Sequence, residues 1–412
     1  MIAVPASKGR NGTGESKSSK PEVADIFRMH GNAYREGHSL PKSHLKVIHD
    51  IGTCRTSELG GHLYKCNLCG YEHPAYNSCC NRHCPKCQSL SKARWLEARN
   101  AELLPVTYFH NVFTLPHELN PWVRYNKRVI YNILFQSVSQ TLLEFGANSK
   151  NGIGGKLGFI TVLHSWDQRL LEHHHLHCII PGGALAFNEK SWINANSKYL
   201  FPVKALSIVF RGKFTDLLGK AFFEGKIICP DGKDFKHLLV RLRKIKWVVY
   251  SKPAFGGPEK ILDYLGRYVH RVAISNDRIK KNENGKVTFA YKDRKNGNLK
   301  KETAVSGEEF IRRFLLHVLP DGYMRIRYFG FLGNRHKKRK ISLIRTFLGL
   351  PVNMEEAEKK KPAELILKLT GKDISKCPNC KTGTMTIQQT IPKLTTYIFQ
   401  NIINPPQLID SS

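Results

Sequence analysis

The chain has 412 residues, of which 65 are Lys or Arg and 33 are Asp or Glu, so its formal net charge is +32. This length allows two or three domains, and an excess of positive charge this large favours nucleic acid as the partner. No apolar run approaches the length of a bilayer span, so we expect no membrane partner.

The first 22 residues predict a disordered basic tail, because the stretch is rich in Gly, Ser and Lys and has little to bury. It also lacks an apolar signal segment. Seven of the eleven cysteines lie between Cys54 and Cys87, and clustering of this kind indicates metal binding rather than a disulfide framework. We therefore expect a cytoplasmic protein.

Residues 23–100 predict a zinc-binding domain that recognises DNA. A helical pattern covers 23 to about 51, and the cysteine-rich segment follows it. Cys66-x-x-Cys69 and Cys84-x-x-Cys87 are separated by fourteen residues and supply four thiolates, the ligand set of a closed structural Zn²⁺ site. Basic residues in and after this segment provide the charge that DNA binding needs.

The remaining cysteines leave two alternatives open. Cys54, Cys79 and His83 either hold a second zinc ion or are spare groups around the first. Cys377 and Cys380 form half a site, so they are either an unmetallated pair or a further zinc candidate.

Residues 101–334 predict an α+β domain built around a central antiparallel sheet. The predicted strands are 106–115, 158–164, 175–180, 246–251, 286–292 and 323–331, and the predicted helices are 121–144, 258–272 and 308–318. A helical segment from 93 to 99 precedes this domain, and the segment 187–244 has no assigned role. Residues 335–412 predict a basic C-terminal region that contains Cys377 and Cys380.

Three histidines in the central domain predict a catalytic metal site. His175 and His177 alternate along one strand and therefore point to the same face. His164, on the preceding strand, reaches the same place if the two strands pair. Three imidazoles with positions left open can hold a divalent ion against a phosphate oxygen, and Asp167 or Gln168 is a further candidate to complete or orient the set.

Two tyrosines form the second catalytic candidate. Tyr264 and Tyr268 are four residues apart in a helical pattern, so both hydroxyls face the same way. Such a pair often only packs in a core. Here Arg267 and Arg271 accompany it and could bind phosphate, and the histidines offer a metal site, so we interpret the pair as nucleophiles.

The chain resembles the two-tyrosine transposases of rolling-circle insertion sequences, the insertion-sequence-ninety-one family of the HUH endonucleases. The resemblance covers most of the chain and rests on blocks in the family's order. They are NRHCPKCQ (81–88), FTLPHELN (113–120), LHSW (163–166), HLHC (175–178), PGG (181–183), YLGRY (264–268) and GNRH (333–336). The chain departs from the family's pattern at His174, usually proline, and at Cys80, usually basic.

The resemblance implies an HUH-type nuclease domain preceded by a small zinc ribbon, and a bacterial enzyme that associates with the nucleoid when bound to DNA. A tyrosine would attack single-stranded DNA at a transposon end or target and form a 5′-phosphotyrosine intermediate. Mg²⁺ or Mn²⁺ would be the catalytic ion on His164, His175 and His177. Phosphate and DNA binding are expected at Arg267, Arg271, Arg335, Lys337 and Lys338.

Two other functions fit parts of the pattern. A plasmid replication initiator or conjugative relaxase shares the nuclease chemistry, but the zinc motifs and the Tyr-x-x-x-Tyr block favour a transposase. A non-catalytic zinc-ribbon regulator would use the histidines and tyrosines only structurally, and it would form no covalent adduct with single-stranded DNA.

Overall fold

The structure is a computed structural model that describes residues 20–100, 102–150, 152–253, 266, 272–293, 296–351 and 362–394. The proposed tail is therefore largely outside the described residues. The N-terminal part comprises α1 (Val23–Glu36), α2 (Lys42–Gly52), the hairpin β1 (Gly61–Cys66) and β2 (Glu72–Tyr76), and α3 (Pro85–Asn100). The single helical stretch predicted over 23–51 is wrong in one respect, because the chain leaves the helix at Gly37 and restarts it after Pro41, which lacks a backbone donor.

The central part of the chain forms an α+β unit, as the sequence predicts. Its elements are β3 (Tyr108–Thr114), α4 (Asn120–Ala147), β4 (Gly158–Trp166), β5 (Glu172–Pro181), β6 (Gly183–Leu185), β7 (Trp192–Asn194), α5 (Val203–Phe223), α6 (Phe235–Lys244) and β8 (Val249–Pro253). The C-terminal half continues with β9 (Ile279–Glu283), β10 (Lys286–Asp293), β11 (Leu299–Ser306), α7 (Gly307–Leu315), β12 (Ile326–Gly330), α8 (Lys337–Phe347), α9 (Pro362–Thr370) and β13 (Met385–Ile391).

Five antiparallel strands make the central sheet, in the order β12-β4-β5-β3-β8. Alternation along β5 divides its side chains between two faces. Leu176 and Cys178 enter the main apolar core together with residues of α4, whereas His175 and His177 point to the opposite face. The apolar side of β5 thus holds the strand against the core. Its other side presents His175 and His177 to the cavity, where they can form a functional site.

The segment 187–244 contributes mainly to this core. Phe210 of α5 packs edge-on against Phe113 of β3, with ring centroids 5.2 Å apart, and against Trp247 at 5.0 Å. Arg211 donates a hydrogen bond to the Ile245 carbonyl. These contacts extend the hydrophobic layer behind β3.

The N-terminal part of the described chain contacts later parts of the chain at two places. Phe27 of α1 packs edge-on against Phe314 of α7, with ring centroids 5.2 Å apart, inside a second apolar core shared with β9 and β10. At the other end of the N-terminal part, β13 pairs with β1 along its whole length and completes the three-stranded sheet β13-β1-β2. Neither long-range contact is visible in local sequence patterns.

Candidate functional site

Three histidines converge on one face of the central sheet. Strands β4 and β5 pair with His164 opposite His175, and His177 lies two residues further along β5 on the same face. One ring nitrogen from each residue lies within 4.8 Å of the others, and all three side chains are buried. The Nε2 atoms of His175 and His177 are 3.1 Å apart, a separation that suits two ligands of one ion.

Hydrogen bonds at the Nδ1 atoms orient the rings of His175 and His177. His175 Nδ1 lies 2.7 Å from the His173 carbonyl, and since only an N–H can pair with a carbonyl, Nε2 is left with its lone pair. His177 Nδ1 lies 2.8 Å from His110 Nε2, which likewise directs Nε2 of His177 into the site. Burial, and secondarily the charge of His164, holds the pKa of His175 well below its usual range, so the ring is neutral at pH 7.

His110 contacts the histidine group from β3, and the sequence reasoning missed it. It lies on β3 at the position paired with Ile179, its ring stacks on His177 with centroids 5.0 Å apart, and burial lowers its pKa to about 4. A signal was available: His110 is three residues before the FTLPHELN block, and alternation along β3 places it on the same face as Val112, which pairs with His177.

The neighbouring candidates have other roles. His174 points to the opposite face, where its Nδ1 lies 3.2 Å from the Tyr131 hydroxyl, so its departure from the family's pattern does not touch the site. Asp167 accepts hydrogen bonds from the backbone N–H groups of Arg169 and Leu171 and thereby shapes the β4–β5 turn. Asp167 is not one of the converging ligand groups, and both Asp167 and Gln168 line the cavity beside them.

A cavity of about 810 Å³ opens over the three histidines. His117 and Asn120 border it on one side, while Trp166 ends β4 and Arg169 lies on the β4–β5 turn. Residues 291–293 of β10, including Lys292, form another wall. Three carboxylates, Asp167, Glu172 and Asp293, also line the cavity, and the last two are paired with Arg124 and Lys301. The aromatic and cationic groups of the wall are of the kinds that contact bases and phosphates of single-stranded nucleic acid.

The proposed nucleophiles Tyr264 and Tyr268, together with Arg267 and Arg271, lie outside the described residues. Gly266, between the two tyrosines, is described. A Cβ at this position would lie 2.8 Å from Cε of Lys92, so Gly266 itself lies close to the Lys92 side chain of α3.

The basic residues proposed to contact DNA near 335–338 differ in their surroundings. Arg335 and Lys338 are exposed. Lys337 instead forms an ion pair with Glu102, with Nζ 2.6 Å from the carboxylate, and its ammonium lies 5.1 Å from the centre of the Tyr328 ring. Lys337 is therefore held at the junction with α3, and a phosphate contact at this residue stays a prediction.

The cysteines form two groups of four, which corrects the predicted ligand set. Cys84 and Cys87 converge with Cys54 and Cys79, whereas Cys66 and Cys69 lie with a different pair of thiols. The four residues of the predicted site are thus split between the groups. The physical reason is that β13 pairs with β1 and brings Cys377 and Cys380 to Cys66 and Cys69 at the β1–β2 turn. The residues after α2 and the loop before α3 instead bring Cys54 and Cys79 to Cys84 and Cys87 at the start of α3.

The first group fits a structural zinc ion. Its Sγ–Sγ separations are 3.6 Å for Cys54–Cys87, Cys79–Cys87 and Cys84–Cys54. A tetrahedral ion with Zn–S bonds of about 2.3 Å requires about 3.8 Å between thiolates, whereas a disulfide would require about 2.05 Å. His83 is not part of the group; burial lowers its pKa to about 3, and its Nε2 faces the Leu319 backbone N–H at 3.5 Å.

The second group joins Cys66 and Cys69 to Cys377 and Cys380. The half-site predicted at the C-terminal pair is therefore completed by the pair on the β1–β2 turn, more than three hundred residues earlier in the chain.

Comparison with known proteins gives matches along most of the chain. A family described as "Transposase zinc-binding domain" matches residues 26–115, and one described as "Putative transposase" matches residues 158–340. The "Putative transposase y4qJ" of Sinorhizobium fredii is 45% identical over 404 residues, which cover 96% of this chain and 99% of that protein. The "Transposase for insertion sequence element IS801" of Pseudomonas savastanoi pv. phaseolicola is 29% identical over 302 residues, covering 71% of this chain and 70% of the relative. No solved structure matches. In the described part of the chain, no helix combines the length and apolarity needed to cross a membrane.

Proposed function

Because the chain belongs to the IS91 family of insertion-sequence transposases, we propose that it transposes DNA by cutting and rejoining single strands in the cavity over His164, His175 and His177. The observation that carries this proposal is the convergence of three buried imidazoles at the base of a cavity that also presents Trp166, Arg169 and Lys292. Three protein ligands leave coordination positions open, as a catalytic metal site requires.

The three imidazole ligands also affect which divalent ion the site would prefer. The three histidines would hold a divalent ion, which when bound would polarise the scissile phosphate and stabilise its developing negative charge. Mg²⁺ is held through oxygen ligands, whereas Mn²⁺, although it also suits oxygen and is the weakest binder of the first-row series, is a transition ion that can take imidazole nitrogen as well. We therefore expect Mn²⁺ to support cleavage at lower concentration than Mg²⁺.

Tyr264 and Tyr268 are the proposed nucleophiles. A tyrosine oxygen attacks the phosphorus of a phosphodiester, the bond from phosphorus to the 3′ oxygen breaks, and the phenolic proton leaves to solvent while the 3′ oxygen is released as a hydroxyl. The 5′ phosphate remains on the tyrosine. Attack by a 3′-hydroxyl reverses the step and joins the strands, so no external energy source is needed.

The DNA strand is proposed to enter along β10. Lys292 and Arg169 at the cavity wall would pair with phosphates, and Trp166, whose ring stacks on His164 with centroids 4.8 Å apart, would offer a face to a base. The zinc-binding domain, with its structural zinc, would supply contacts to duplex DNA at the transposon ends.

Metal dependence and covalent attachment test this function together. Wild-type protein with Mn²⁺ and a single-stranded oligonucleotide should give a protein–DNA adduct on a denaturing gel. His175→Ala with His177→Ala should abolish the adduct but keep duplex binding. His174→Gln is the matched control, because this side chain lies on the same strand and faces the other way. Full adduct formation by the double variant in chelator would exclude the metal mechanism, and absence of any wild-type adduct would favour a non-catalytic DNA-binding role.

A further inference from the structure

Four cysteines from the two ends of the chain come together at the edge of the N-terminal sheet. Cys66 Sγ lies 3.7 Å from Cys380 Sγ, and Cys69 Sγ lies 3.7 Å from Cys377 Sγ. These separations are close to the edge of a tetrahedron with Zn–S bonds of about 2.3 Å, and they are far too long for disulfides. All four cysteines are unbridged.

Two turns of the same shape present these thiols. In the first turn, Gly70 follows the second cysteine with a φ of 67°, and its N–H donates to the Cys66 carbonyl at 3.2 Å. In the second, Lys381 occupies the equivalent position with a φ of 66°, and its N–H donates to the Cys377 carbonyl at 3.0 Å. This left-handed conformation is strained for a non-glycine residue, so the surrounding structure must hold Lys381 there.

Backbone N–H groups surround the sulfur atoms. The Leu68 N–H points to Cys66 Sγ at 3.4 Å, and the Gly383 N–H points to Cys380 Sγ at 3.2 Å. Such donors stabilise thiolates, the form of cysteine that binds metal. The packing is also close, because a Cβ at Gly383 would lie 2.4 Å from Cys66 Sγ.

Hydrogen bonds join the two turns directly. Asn67 and Thr384 pair in both directions: the Asn67 N–H donates to the Thr384 carbonyl at 3.1 Å, and the Thr384 N–H donates to Asn67 Oδ1 at 2.8 Å. From there β13 pairs with β1 from Met385 opposite Cys66 to Ile391 opposite Gly61. The two cysteine pairs thus lie at the same end of one three-stranded sheet.

We propose that Cys66, Cys69, Cys377 and Cys380 hold a second structural Zn²⁺ ion, which fastens the C-terminal strand to the N-terminal domain and completes a zinc ribbon from both ends of the chain. Four thiolates fill the coordination sphere, so this ion would have no catalytic position. Two of its ligands follow residue 340, where the transposase family match ends. The proposal is independent of DNA cleavage and of the tyrosines.

Zinc content measured on the full-length chain tests this site. By inductively coupled plasma mass spectrometry, Cys377→Ser with Cys380→Ser should hold one zinc per chain fewer than wild type. Cys229→Ser is the matched control, because this exposed cysteine lies outside both groups, and it should keep the wild-type content. Any zinc that the histidine site acquires during purification adds equally to the zinc content of every variant, so it does not affect the difference between them. An unchanged zinc content in the double variant would overturn the proposal.

Hydrogen exchange provides a readout that does not depend on metal counting. In the Cys377→Ser, Cys380→Ser variant, amide protons of β1 that bond to β13 should exchange faster, while those of β4 and β5 keep their protection. If this variant fails to fold, Cys380→His decides the question, because imidazole also binds zinc and should retain the full metal content. Loss of the ion from the histidine variant, or unchanged protection of β1 in the folded serine variant, would contradict the proposal.

Discussion

Replacing His110 by alanine tests whether the buried hydrogen bond behind the metal site controls metal affinity. In the wild-type structure His110 Nε2 lies 2.8 Å from His177 Nδ1 and stacks on the same ring. Alanine would leave the Nδ1–H of His177 without this partner and free the ring to rotate. Because loss of such an outer partner typically weakens metal binding 10- to 100-fold, we expect a loss of about 1.4–2.7 kcal/mol in Mn²⁺ binding free energy.

Isothermal titration of Mn²⁺ into the purified protein measures this loss directly. Cleavage of a single-stranded oligonucleotide should fall in parallel and recover when the Mn²⁺ concentration is raised. His110→Gln should recover part of the affinity, since its amide oxygen can accept the same hydrogen bond. His174→Gln serves as the control, because it perturbs a buried histidine on the opposite face of β5.

Two results would refute this reasoning. Mn²⁺ affinity in His110→Ala equal to that in His174→Gln would mean that His110 only fills space. A cleavage defect that excess Mn²⁺ does not correct, with unchanged Mn²⁺ affinity, would place the role of His110 elsewhere.

Three further predictions concern the zinc, the nucleophiles and the pH response. Cys84→Ser should lose the zinc of its own group and destabilise the start of α3 while leaving the second zinc group occupied, as zinc content and hydrogen exchange would report. Tyr264→Phe and Tyr268→Phe should each retain some oligonucleotide cleavage but fail to complete transposition. The double variant should form no covalent adduct with DNA. Full transposition by either single phenylalanine variant would contradict the idea that the two tyrosines have separate functions. Burial lowers the pKa of His317 to about 3, below the usual 6.5, so its contribution to stability is complete above pH 6.5 and declines as the pH falls towards 3. At pH 5 the loss should be about 2 kcal/mol in urea unfolding, and His317→Gln should lack this component of the pH dependence.

The convergence of His164, His175 and His177 could be predicted from the sequence, because it depends only on alternation along one strand and on the pairing of two neighbouring strands. Alternation along one strand fixes the common face of His175 and His177, and an antiparallel partner a short turn earlier brings His164 to the same point. The structure brings these three residues together as expected. His110 was harder to identify, since its relation to His177 depends on the register between β3 and β5, which pattern alone does not give.

The cysteine groups could not be assigned from spacing. Two Cys-x-x-Cys pairs close together in sequence suggest one site, but each pair can bind an ion with any other pair that the fold brings near. Here β13 returns from the far end of the chain to pair with β1, and it supplies the partner for Cys66 and Cys69. Long-range strand pairing of this kind leaves no periodic signal between the two segments.

Identification of the amino acid covalently linked to DNA tests the central claim most directly. Wild-type protein incubated with Mn²⁺ and a single-stranded transposon-end oligonucleotide would be digested with protease and nuclease, and the linked peptide sequenced by mass spectrometry. The account predicts a nucleotide 5′-phosphate attached to the phenolic oxygen of Tyr264 or Tyr268, absent from the His175→Ala, His177→Ala variant. Attachment to a different residue, or efficient strand cleavage with no covalent peptide, would contradict it.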